Sequence, residues 1–247
     1  MNPQNFRGTG PAAGNDIPVA MNLIAVGAHS VWARRIFYAL TAAWLLSACS
    51  ALPSRPTRAT LFDFGPGPLV MQPATRQASL PAVAVEEIST IGGALDNTAV
   101  LYRLGYADAQ ELRPYSQARW TMPPAQLVSQ RLRNTLSLRR PVFRAGEGLA
   151  LNRSQNPALP LQLRLELEEF SQYFSAADTS TGLVRLRATL IDVTTAGEKL
   201  VGQRTIVAQR PARTADAPGG VRALTAATDA AIEELDQWLQ QQPARQP

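Results

Sequence analysis

Two runs of alternating sequence constrain this chain more than any other feature. Leu161, Leu163, Leu165 and Leu167 alternate with Gln162, Arg164, Glu166 and Glu168. Val184, Leu186, Ala188 and Leu190 alternate with Arg185, Arg187 and Thr189. Successive strand side chains point to opposite faces, so each run is a strand with one face buried and one wet. The phase slips at Ile191 and Val193, which predicts a bulge. A turn is expected over Thr194 to Lys199 around Gly197, and a third strand over Leu200 to Ala208. The three make an antiparallel meander. Its outer face would carry Glu166 and Glu168, solvated, near Arg185 and Arg187 as modest cross-strand charge pairs.

Helical spacing follows the meander. Pro218-Gly219-Gly220 opens a long helix, and Val221, Leu224, Ala227, Ala231, Leu235 and Trp238 mark the stripe that covers a sheet face. A second helix starts at Pro123-Pro124. Leu127, Val128, Leu132 and Leu136 share one side of it, with Arg131 and Arg133 beside them, and Pro141 ends it before a short Val142-Phe143 strand. Upstream, Thr60 to Phe64 and Leu80 to Ile88 read as strands, with 71–79 and 89–98 as loops. Val100 through Tyr115 reads as a short irregular hairpin. The fold class is therefore α+β: a mostly antiparallel sheet with two helices packed on it. It forms a single domain over 60–241, with a fraying tail at 242–247.

The chain holds one Cys and one His. That excludes a disulfide scaffold and a Cys/His zinc site, and it argues against nucleophile-plus-His chemistry. The one Cys has an unusual setting. Arg34 and Arg35 precede an 11-residue apolar run from Ile36 to Leu46. Spanning a bilayer takes about 20 apolar residues, so the run suits the core of an export signal. Leu46, Ser47 and Ala48 then lead directly into Cys49. The alternative is a structural Cys acting as a small core hydrophobe.

This arrangement resembles the lipobox of bacterial lipoproteins. The resemblance implies that Leu46, Ser47 and Ala48 are read by the signal peptidase, that 1–48 is removed, and that Cys49 carries diacylglycerol and an N-acyl chain. Each buried CH₂ contributes about 0.8 kcal/mol, so two or three chains hold a protein on a membrane durably. Met21 would begin a signal of ordinary length, and residues 1–20 are unlike one. Residue 50 is Ser rather than Asp. By resemblance to Gram-negative sorting, that points to the outer membrane, with the protein facing the periplasm. Residues 49–59 form the lipidated Cys and a Pro-containing tether. Removal of 1–48 leaves no His, and a net charge lowered from +5 to +3. This balance is too weak to argue for nucleic acid. No cofactor is expected beyond the covalent lipid.

Residues 99–136 read AVLYRLGYADAQELRPYSQARWTMPPAQLVSQRLRNTL. With the lipobox and tether, this resembles the ABC-type transport auxiliary lipoproteins, PqiC-like proteins among them. The matching positions are Tyr102, Arg103, Tyr106, Arg113, Pro114, Tyr115, Arg119, Trp120, Pro123 and Leu132. The resemblance implies a non-enzymatic role beside an MCE-domain periplasmic protein of an ABC transporter that moves lipids between the two membranes. Leu80 to Ile88 departs mildly from the more hydrophobic, Pro-containing segment of many relatives, which leaves the partner's identity open. Homo-oligomerisation is also open.

Several side chains admit two roles. Arg119 and Trp120 suit a partner contact, or a Trp packed at the start of the helix with the Arg stacked on it. Tyr102, Tyr106 and Tyr115 suit a partner or lipid contact, with Arg103 beside them, or packing at a strand edge. Glu86 and Glu87 point to opposite faces and form no dyad. Arg139 and Arg140 are expected at the surface. Two other functions stay in view: a lipid carrier, which needs a large apolar cavity, and an envelope hydrolase, which needs two carboxylates about 5–9 Å apart in a cleft.

Overall fold

The computed structural model describes residues 32–41, 58–67, 80–144, 147, 160–194 and 196–243. It divides into two compact units, Met1–Pro56 and Thr57–Pro247. In the first, residues 32–41 form a helix, α1, whose side chains are exposed. No described helix is long and apolar enough to cross a membrane. Leu46, Ser47, Ala48 and Cys49 lie outside the described residues.

The second unit holds nine strands and two helices among the described residues: β1 (Thr60–Phe62), β2 (Val83–Val85), β3 (Ser89–Thr90), β4 (Ala99–Leu104), β5 (Asp108–Trp120), α2 (Pro124–Leu136), β6 (Val142–Arg144), β7 (Leu161–Ala176), β8 (Thr179–Thr194), β9 (Gly197–Pro211) and α3 (Ala217–Gln240). The α+β class holds. The meander is present, with β7, β8 and β9 antiparallel. The rest of the sheet differs from expectation, because it is mixed. Strand β7 is shared lengthwise on its other edge: β2 lies parallel to its first residues, β3 to its middle and β4 to its last. Strand β6 runs parallel to β2, and β1 parallel to β5. Parallel partners need no connecting hairpin, so their pairing leaves no local turn signature.

The alternation works as predicted. Leu163, Leu167, Val184, Leu186 and Ala188 are fully buried, and α3 lies against β7, β8 and β9. The predicted bulge falls at the Leu190/Ile191 step, but the extra residue is in β9: Leu190 pairs with Gly202, Ile191 with Leu200, and Val201 is left over. Strand β7 carries another irregularity at Glu168. That shift turns Phe170, Gln172 and Phe174 inward. The strand expected over 80–88 shrinks to Val83–Val85, and the 89–98 loop contributes β3. The irregular hairpin is longer than expected, since β5 has 13 residues against six in β4, with two register shifts.

Both helices have sequence reasons for their limits. Pro123 and Pro124 start α2, and its buried stripe includes Leu127, Val128, Leu132 and Leu136. Asp216 caps α3, its Oδ1 accepting from the Gly219 N–H at 2.7 Å. Such a cap is worth about 1 kcal/mol. The pair Arg139-Arg140 is a correction. Arg140 is buried, not exposed, and donates with Arg139 to the buried carboxylate of Asp236 on α3. This ties the end of α2 to α3.

Candidate functional site

The residues singled out in the sequence separate into one core aromatic and a layer of half-buried side chains. Trp120 is 1% exposed. Its ring meets Phe64 edge-on at 5.7 Å and Phe170 at 5.6 Å. It is a core aromatic, with no surface to offer a partner. Its neighbour Arg119 points the other way along the strand and is half-buried. Its Nη1 donates to the carbonyls of Tyr115 and Ala118, so it braces its own strand rather than stacking on Trp120.

Tyr102, Arg103 and Tyr115 do come together, on β4 and β5 where these reach the last residues of β7. The rings of Tyr102 and Tyr115 lie 4.6 Å apart, and Phe174 of β7 stands edge-on to Tyr102 at 6.0 Å. Arg103 grips Glu169 through two nitrogens, Nε at 3.3 Å and Nη2 at 3.0 Å, while its Nη1 donates to the carbonyls of Ala109 and Gln110. One guanidinium thus joins β4, β5 and β7.

Beneath the tyrosines runs a polar network that the alternation did not reveal. The Tyr115 hydroxyl donates to Gln172 Oε1 at 2.9 Å, and Gln172 Nε2 donates to Ser180 Oγ at 2.7 Å. Gln172 is fully buried. A Cβ at Gly220, in the first turn of α3, would meet Gln172 Oε1 at 2.0 Å, so an added methyl would displace the Gln172 amide from its place in the network. The available signal was the doubled Glu168-Glu169, which breaks the alternation and reverses which residues of 170–174 face inward.

Burial pushes the Tyr115 hydroxyl up to about 12, with Tyr102 and Asp216 adding to the effect. The unfolded chain releases that proton near 10. The folded state holds it longer, so the stabilising contribution is complete below pH 10 and is lost as pH rises through 12. An alkaline titration of the ultraviolet phenolate band should therefore show a late step near pH 12. Tyr115→Phe should remove that late step; an unchanged titration would refute the assignment.

The carboxylates on the outer face of the sheet are engaged by arginines. Arg164 bridges Glu86 at 2.7 Å and Glu198 at 2.6 Å, which raises its pKa further and lowers that of Glu198. Arg187 reaches Glu166 at 3.8 Å and also contacts Glu168. Glu168 is 12% exposed in its side chain, so it is less solvated than the sequence suggested, because it is the bulged residue. Arg185 lies opposite Glu169. Among the described residues, no three His, Cys, Asp or Glu side chains are grouped to hold a metal.

An open groove of about 480 Å³ lies between the β1 segment and α3. Leu61, Phe62 and Phe64 form one wall and Val221, Thr225 and Ala226 the other, with Asp63, Arg222 and Asp229 among them. Asp229 is held by Arg131 from α2 at 2.7 and 2.9 Å. The groove is shallow and mixed in polarity.

A solved structure from Xanthomonas campestris, of the DUF330 family, shares this fold at a TM-score of 0.56 and 20% identity, covering 73% of this chain and 94% of that one. A second, of an uncharacterized protein, superposes at 0.51 with 11% identity, covering 74% and 99%. No curated protein matches the chain. The family model for the ABC-type transport auxiliary lipoprotein component matches residues 64–235, from the end of the groove's first wall to the last turns of α3, and the chain belongs to that family.

Proposed function

We propose that the protein is a non-catalytic subunit of an MCE-type ABC transport system. Anchored by lipid on Cys49 at the outer membrane and facing the periplasm, it would receive the periplasmic MCE-domain partner of a system that moves lipids between membranes. The observation that carries this reading is where the fold begins. The compact unit starts at Thr57 and its first strand at Thr60. Cleavage before Cys49 therefore costs the domain none of its described strands, and leaves 11 residues from the lipidated Cys49 to β1. Family membership supplies the transporter association.

The alternatives draw less support. A lipid carrier would need an enclosed apolar cavity, and the groove beside β1 is open and carries Asp63, Arg222 and Asp229. A hydrolase working through paired carboxylates would need them free, whereas Glu166 and Glu168 both face Arg187.

The test is affinity purification from crosslinked membranes, with mass spectrometry of proteins and lipids. An MCE-domain protein should be enriched with the wild-type chain and lost with Cys49→Ala. Phospholipid without such a partner would favour the carrier instead. In the same experiment the N-terminal peptide of the wild-type chain should begin at Cys49 and carry its acyl chains. Two or more acyl chains give durable anchoring, so an unacylated Cys49 in the membrane-bound protein would refute the lipoprotein assignment.

A further inference from the structure

One end of the long sheet collects three connections. Leu104 pairs with Asp108 and with Phe174, Ala176 with Thr179, and Thr181 with Pro211. The β4–β5 turn, the β7–β8 turn and the link from β9 to α3 therefore lie side by side. Four of the chain's five tyrosines gather at this end: Tyr102, Tyr106, Tyr115 and Tyr173. Tyr106 is 52% exposed in the β4–β5 turn. The other three are half-buried beneath it. Gly105 sits so close to the Tyr173 ring that a Cβ would meet it at 2.2 Å.

The direction of β1 says which end looks toward the anchor. β1 runs parallel to β5 with Thr60 beside Ala118, and β5 starts at the tyrosine end. Arg58 and Ala59, the described residues just before Thr60, therefore lead toward that end. Arg119, beside Leu61, pairs with Ala99, five strand steps from Leu104, so Thr60, one step nearer, stands about 13 Å short of the turns. The 11 residues back to Cys49 can reach about 36 Å. That direction and that reach allow the tyrosine end to lie against the bilayer. Charge at this end is close to balanced: Arg103 and Arg113 pair with Glu169 and Glu111, and Arg210, Arg213 and Arg222 stand against Asp108, Asp178 and Asp216. A phenol suits a bilayer interface without help from charge, its ring at the apolar boundary and its hydroxyl in the headgroup region.

Resting on the lipoprotein reading above, we infer that the tyrosine end is the face of the domain that contacts the phospholipid surface, with Tyr106 at headgroup depth. The opposite end, about 50 Å away along the 16 residues of β7, is then held out into the periplasm. Leu138 marks that end. It is 79% exposed and precedes Arg139, whose carbonyl accepts from Leu80 just before β2, the strand paired with Leu161.

The test uses the processed protein, purified from membranes and reconstituted into phosphatidylethanolamine and phosphatidylglycerol vesicles that carry a headgroup-proximal nitroxide lipid. Tyr106→Trp and Leu138→Trp are compared with the unsubstituted chain, whose Trp120 and Trp238 give the background. Emission from Tyr106→Trp should be quenched severalfold more than that from Leu138→Trp. Equal quenching, or the reverse order, overturns the inference. The mass of the Cys49 peptide separates the two failures. An unacylated chain that does not float with the vesicles refutes the lipoprotein reading and this inference with it. An acylated, floating chain with Tyr106→Trp unquenched refutes this inference alone.

Discussion

Asp236→Ala should cost the folded domain about 3–5 kcal/mol, the range for removing one partner of a buried ion pair. Asp236 is 3% exposed. Its Oδ1 accepts from Arg140 at 2.5 Å, and its Oδ2 from Arg139 at 2.9 Å and Gln240 at 3.0 Å. The Arg140 side chain is 4% exposed. Without the carboxylate it becomes an unpaired cation out of water, and desolvation dominates the cost. For a domain of this size 1 kcal/mol corresponds to about 2–4 °C, so the melting temperature should fall by roughly 10 °C. Arg139→Ala is the control. Its side chain is 45% exposed and its half of the triad faces water, so the loss should stay below about 1 kcal/mol. The double variant Asp236→Leu with Arg140→Leu should recover much of the stability, since an apolar pair of similar volume often replaces a buried ion pair without loss. Urea unfolding followed by circular dichroism decides the matter. Equal effects for Asp236→Ala and Arg139→Ala would show that Arg140 is not buried as described.

This triad also shows what sequence reveals and what it conceals. Arg139-Arg140 reads as surface because nothing within the α2 region supplies a counter-charge. The partner lies 96 residues on. Yet Ile232, Leu235, Asp236 and Leu239 follow i, i+3, i+4, i+7 spacing, and all four are buried. An acid on an apolar stripe is a signal that a cation must meet it. The β7–β8 alternation was legible because a half-buried strand repeats its environment at every second residue. The parallel contacts of β7 with β2, β3 and β4 were not, because each brings together segments whose connection carries no turn chemistry. Position 120 is the clearest case of an ambiguity resolved by burial. In sequence the Arg-Trp pair suits an interface but favours a packed Trp, and the ring packing with Phe64 and Phe170 settles it for Trp120. A Trp120→Ala variant would therefore report on folding rather than on a partner. Tyr106, exposed at a turn, is the better surface probe.

Gly182→Ala is the second substitution with a large expected effect, and it links stability to the tyrosine end. Gly182 lies in β8 directly under α3. A Cβ there would meet the backbone carbon of Ala223 and the backbone nitrogen of Leu224, each at 2.4 Å. Backbone cannot rotate away as a side chain can, so the helix must lift from the sheet. Overpacking of this kind costs about 1–3 kcal/mol, and a clash with main chain belongs at or above the top of that range. Gly202 of β9 provides the comparison. It too lies under α3, but an added Cβ there meets the side chains of Gln242, at 2.9 Å, and Trp238, at 3.3 Å. Gln242 can swing away, so Gly202→Ala should cost clearly less than Gly182→Ala. A lift of α3 at Ala223 also draws Gly220 off Gln172, loosening the network that holds the Tyr115 hydroxyl. Gly182→Ala should therefore bring the late alkaline ionisation of Tyr115 back toward that of an ordinary tyrosine, while Gly202→Ala leaves it in place. Destabilisation by Gly182→Ala with an unshifted Tyr115 titration would mean that the helix accommodates the methyl away from its first turn. The close packing of α3 on β8 would then be independent of the tyrosine layer.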